Sequence, residues 1–118
     1  MHKILMVDDD EALRLLYSDE LMEEGYDVLT SGNVSRIMDL IDQNSPDLLV
    51  MEAQLNGSNR LELLQEIKNA YPDLPVILCT AYPAYISDIK SVAAEDYVVK
   101  SSSLAELKDK IEKVMYMN

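Results

Sequence analysis

Five short apolar runs punctuate the chain: ILMV at 4–7, DVLT at 27–30, LLVM at 48–51, VILC at 76–79 and YVV at 97–99. Runs this short, rich in Val, Ile and Leu, predict strands buried on both faces. Between them the apolar residues return at intervals of three and four, which places them on one side of a helix. Leu13, Leu16, Tyr17 and Leu21 form one such set, followed by Ile37, Leu40 and Ile41, then Leu61, Leu64 and Ile67, and finally Leu104, Leu107, Ile111 and Val114. The segment between Pro83 and Glu95 has the thinnest helical pattern, carried by Ile86, Ile89 and Ala93. Breakers fall between the sets: Gly25 closes the first helix, Pro46 follows the second, and YPDLP at 71–75 separates the third from the next strand. Ser103 and Glu106 have the spacing of a capping box ahead of the last helix.

Strand and helix alternate five times. Parallel neighbours need crossover connections, so this order predicts an α/β fold with a five-stranded, mostly parallel sheet and helices on both faces. The 118 residues suffice for one such domain, expected to span 1–118, and are too few for two. In folds of this kind function gathers at the carboxyl ends of the strands.

Composition narrows the partners. With 22 acidic against 10 basic residues the formal charge is -12, which disfavours direct contact with nucleic acid, whose binding draws on Lys and Arg. The single cysteine, Cys79, lies within an apolar run and reads as a buried thiol in a reducing compartment. The opening MHKILMV is too brief for a signal peptide or a membrane span. A cytoplasmic protein is expected.

At the predicted strand ends stand Asp8, Asp9 and Asp10 after the first, Glu52 after the third, Thr80 and Ala81 after the fourth, and Lys100 after the fifth. Singly, each has an ordinary explanation: aspartates cap helices, a threonine caps the next segment, a lysine is solvated. Together they converge on one edge. Carboxylates about 4 Å apart repel by roughly 4 kcal/mol at an effective dielectric near 20, so Asp8, Asp9 and Glu52 call for a cation. Lys100 supplies one charge and a divalent metal two. A hard oxygen cluster suits Mg²⁺, and a hydroxyl and an ammonium beside it suit a phosphoryl oxygen.

ILMVDDDEALRLL, PDLLVMEAQLNGSNRLELL, LPVILCTAY and DYVVK together resemble the receiver domains of bacterial two-component response regulators, from end to end and in the family's order. The resemblance implies a flavodoxin-like (CheY-like) three-layer sandwich, an aspartyl phosphorylation site after the third strand, and Mg²⁺ held by the acids. Carried over by position, Asp8 and Asp9 are the acidic pair and Glu52 stands at the phosphoacceptor position. Gln54 offers its backbone carbonyl to the metal, Thr80 matches the switch hydroxyl, Tyr97 the switch aromatic, and Lys100 the lysine that contacts the phosphoryl group.

The pattern breaks around that position. The family's acceptor is aspartate; Glu52 carries one more methylene, about 1.5 Å of reach, and in-line transfer loses on the order of 10²-fold for a misplacement near 1 Å. Asn56 and Ser101 stand where the family usually has proline, and Arg60 where it has glycine. The stretch from Thr80 to Lys100 is slightly short. Losing the proline at 101 removes the reason for a cis peptide after Lys100. Arg60 disfavours positive φ, so the loop after Glu52 is expected to be reshaped.

Two roles compete for Glu52. Its longer carboxylate could reach Thr80 or Lys100 and hold an active-like state, or it could pair with Lys100 in one fixed conformation. The second is favoured, because a carboxylate has one charge where a phosphoryl group has nearly two. The reading that results is an atypical or pseudo-receiver in a two-component phosphorelay, not an enzyme, with weak Mg²⁺ binding. It signals to a histidine kinase or another phosphorelay or output protein, and a homodimer is left open. The partner face implied by the family is built from the 83–95 segment, the strand at 97–99 and the last helix. A metal-dependent phosphotransfer enzyme is the rival, though EAQLN lacks the aspartate nucleophile and second acid it would want. Phosphorylation at or near Glu52 is the lesser alternative.

Overall fold

The computed structural model describes residues 2–80, 96–99 and 104–116, with no side-chain description for Asn59, Asp96, Tyr97 and Val99. In chain order the elements are β1 (Lys3–Val7), α1 (Glu11–Glu23), β2 (Asp27–Ser31), a 3₁₀ turn (Val34–Arg36) running into α2 (Ile37–Asn44), and β3 (Leu48–Glu52). A hairpin of two-residue strands follows, β4 (Gln54–Leu55) and β5 (Ser58–Asn59), then α3 (Leu61–Ala70), β6 (Val76–Thr80), β7 (Asp96–Val99) and a C-terminal helix (Ala105–Tyr116). The helical pattern between Pro83 and Glu95 and the Ser103 half of the capping box lie outside the described residues.

β1, β2, β3, β6 and β7 form one parallel sheet in the order β2-β1-β3-β6-β7. The expected α/β fold is therefore present, with β3 at the centre and all five of its residues buried. Alternation along the strands divides the core in two. Leu5, Val7, Leu49, Met51, Val76 and Leu78 face α2 and α3 through Ile37, Ile41, Leu64 and Ile67. Ile4, Met6, Leu48, Val50, Ile77, Cys79 and Val98 face the other way, against Tyr17 and Leu21 of α1 and Leu107 and Ile111 of the C-terminal helix. Each fully buried aliphatic contributes about 1.5–3 kcal/mol, which explains why the runs lack polar interruptions.

α1 shows how local chemistry sets its ends. Asp10 caps it by accepting the Leu13 N–H at 3.1 Å. Gly25, at φ 95°, ends it in a Schellman motif: the Gly25 N–H reaches the Met22 carbonyl and the Tyr26 N–H the Leu21 carbonyl. Leu21 and Tyr26 are both buried beneath that turn. The buried stripe of α1 is narrower than the spacing suggested, since Leu16 is half exposed beside the still more exposed Leu15. Leu13, Tyr17 and Leu21 repeat every four residues along one line, and Leu16 lies off that line.

Between β3 and α3 the chain makes the hairpin. Gln54 pairs with Asn59 and Leu55 with Ser58. The two turn residues, Asn56 (φ 53°) and Gly57 (φ 79°), both sit in the left-handed region, as a type I′ turn requires. Proline could not take that φ, so the loop follows from having asparagine at 56. Arg60 settles at φ -112°, ordinary for a residue with a side chain. Its N–H donates to the Ala53 carbonyl at 2.8 Å and its Nε to the Leu55 carbonyl at 3.0 Å, closing the base of the hairpin.

Candidate functional site

Parallel pairing brings the strand ends to one edge. Val7 is in register with Met51, so Asp8 and Glu52 come next on neighbouring strands, roughly 5 Å apart by sheet spacing. Glu52 is in register with Cys79, and Thr80 is the following residue. Glu52 and Thr80 belong to the strands themselves rather than to the loops after them. Asp8 and Glu52 are each 5% exposed and Thr80 is fully buried, the three buried polar or charged side chains found among the described residues. Tyr97 lies on β7 opposite Leu78, though its side chain is not described. Lys100, Ser101 and Ala81 lie outside the described residues.

Two buried carboxylates on neighbouring strands repel one another more strongly than they would in water. Backbone donors offset part of this. Asp8 Oδ1 accepts the Asp10 N–H at 2.9 Å, and Glu52 Oε1 accepts the Gln54 N–H at 3.2 Å. Asp9 is exposed, yet its Oδ2 accepts the Asn56 N–H at 2.9 Å across the loops. The first turn of α1 begins at the same place and adds the positive end of a helix dipole.

One cation on this edge was not anticipated from the sequence. Arg14, a turn into α1, donates from Nη1 to the Asp8 carbonyl at 2.6 Å. Its guanidinium fits because residue 32 is glycine: a Cβ there would come within 2.9 Å of the guanidinium carbon. The Asp8 N–H in turn donates to the Ser31 carbonyl at 3.1 Å, so the loop carrying the acids is held from both sides. Gln54, two residues past Glu52, stands beside the same edge. It is a β4 residue whose buried side-chain Oε1 has no hydrogen-bond partner. Among the described residues no group of three or more His, Cys, Asp or Glu side chains is arranged to hold a metal ion. Nor is any helix there long and apolar enough to cross a membrane.

The fold and this edge can be set against known proteins. The response regulator receiver domain model matches residues 4–112. The chain belongs to the response regulator receiver family. It is 36% identical over 106 residues to the DNA-binding transcriptional regulator NtrC of Rhizobium meliloti, a match covering 88% of the chain and 22% of that protein. The receiver thus spans under a quarter of that regulator. It is also 28% identical over 115 residues to sporulation initiation phosphotransferase F of Bacillus subtilis, covering 96% of the chain and 93% of the relative. The crystal structure of response regulator TrrA from Thermotoga maritima, in complex with Mg²⁺-BeF, superposes with a TM-score of 0.90 at 39% identity, over 98% of this chain and 100% of that one. TrrA is also known in complex with the histidine kinase ThkA, where the match has a TM-score of 0.88 and covers 98% of this chain and 99% of that one.

Proposed function

We propose that this receiver works in a two-component phosphorelay as a protein-contact module rather than an enzyme, and that Glu52 makes it a poor phosphoacceptor. The observation that carries the reading is Glu52 itself, buried at the end of β3 with Oε1 turned back onto the Gln54 N–H. An acceptor must present an oxygen in line with the donor phosphorus, and the added methylene moves it by about 1.5 Å.

Contact with a histidine kinase is supported by the TrrA–ThkA complex of a relative. On this chain, α1 presents the exposed Leu15 and Leu16, and a groove of about 450 Å³ opens between Leu13, Leu16 and Tyr17 of α1 and Leu104 at the C-terminal helix. Exposed aliphatics side by side on a helix suit a protein partner. The enzyme alternative would want an aspartate nucleophile with a second acid close by, and the EAQLN stretch offers neither.

Intact-mass measurement after incubation with Mg²⁺ and a small-molecule phosphodonor tests the reading. The mass is expected to stay unchanged. A gain of about 80 Da that maps to Glu52 would overturn it.

A further inference from the structure

The hairpin after β3 does more than connect. Leu55 is fully buried, and the Arg60 bonds to the Ala53 and Leu55 carbonyls close its base, so the type I′ turn is presented from a fixed support. From that support the Asn56 N–H meets Asp9 Oδ2 at 2.9 Å, joining residues 47 apart in the chain. Asp8 and Glu52 likewise each lean on the backbone N–H two residues ahead.

Mg²⁺ demands a near-octahedral oxygen shell at about 2.0–2.1 Å, so carboxylates that hold it must converge on one point. Here Asp9 is drawn toward residue 56, and the described acids form no converging group. Asp9 Oδ2 is thereby held by a backbone N–H, a donor that a cation at the same oxygen would have to displace.

We propose that the Asn56–Gly57 turn is a latch on Asp9: a backbone N–H of the chain takes the place of a divalent cation at the acidic pair, and the domain does not hold Mg²⁺ while the latch is closed. The inference rests on the receiver reading only for where a cation would be expected. It assigns Asn56 a positioning role that acts through Asp9.

Proline at 56 lacks both the N–H and access to positive φ, whereas glycine keeps both. Binding is measured by titrating Mg²⁺ calorimetrically and Mn²⁺ by the EPR signal of the free ion. The wild-type protein and Asn56→Gly are expected to show no saturable binding through the millimolar range. Asn56→Pro is expected to bind at least about tenfold more tightly, and Asp9→Asn in that background to lose the gain. Saturable binding by the wild-type protein overturns the latch, as does a folded Asn56→Pro that gains nothing. Should Asn56→Pro not fold, amide exchange decides. The Asn56 N–H is expected to exchange at least about tenfold faster in Asp9→Ala than in the wild-type protein, and an unchanged rate overturns the proposal. Mg²⁺ binding by the wild-type protein would leave the Glu52 reading standing, while a phosphoryl adduct on Glu52 without saturable binding would leave the latch standing.

Discussion

Arg14 and Gly32 work as a pair, one side chain made useful by the absence of another. Adding a methyl at 32 would push the guanidinium off the Asp8 carbonyl, and the flexible arginine would yield before the backbone did. Gly32→Ala is therefore expected to cost about 1 kcal/mol in urea unfolding, the worth of the lost hydrogen bond. In an Arg14→Ala background the same change is expected to cost almost nothing. Equal losses in both backgrounds would show that the glycine serves some other need. Nothing in the sequence marks this pair, because neither residue belongs to an apolar period and the contact joins a helix to a loop. Asp8, Glu52 and Thr80 were legible for the opposite reason: each directly follows or ends an apolar run, and a parallel sheet gathers such positions.

Between elements, Tyr71 ties the end of α3 to α2. Its hydroxyl donates to the Asp42 carboxylate and lies 3.4 Å from the Met38 carbonyl. The hydrogen bond to Asp42 raises the Tyr71 pKa above its ordinary value, with burial adding to it. A raised folded-state value means the folded chain holds the proton more tightly than the unfolded one. The tie therefore contributes in full below about pH 10 and is lost as pH rises through the raised value. Stability followed by denaturant midpoint should fall above pH 10, and Tyr71→Phe should flatten part of that fall. An identical slope in the variant would rule the tie out. The β4–β5 hairpin was missed at this scale although Asn-Gly is a strong turn signal. Its strands are two residues long, too short to show alternation, and its N–H reaches an acid far away in sequence. The His2 ring meets Tyr116 edge-on at 5.0 Å, a contact between opposite ends of the chain that no local pattern encodes.

For the molecule as a whole, a formal charge of -12 means that folding gathers like charges. The bridges from Lys108 to Glu20 and Glu24 relieve only a few of them, joining the C-terminal helix to α1. Added salt screens the remainder, so raising NaCl from low to moderate concentration should stabilise the fold by on the order of 1 kcal/mol, or about 4 °C in Tm. A flat or falling Tm would refute this. The sheet itself was readable because its strands are buried on both faces and show as unbroken apolar runs. The edge β2 was predicted one residue short; its first residue is exposed and the other four only partly buried. Every pairing in that sheet is non-local: Lys3 meets Asp27, Ile4 meets Leu48, Leu49 meets Val76 and Ile77 meets Asp96. Long loops must close before any of these contacts repays the lost chain entropy. The acidic edge is thus a late product of folding, since Asp8 and Glu52 become neighbours only after β1 has found β3 across the intervening helices.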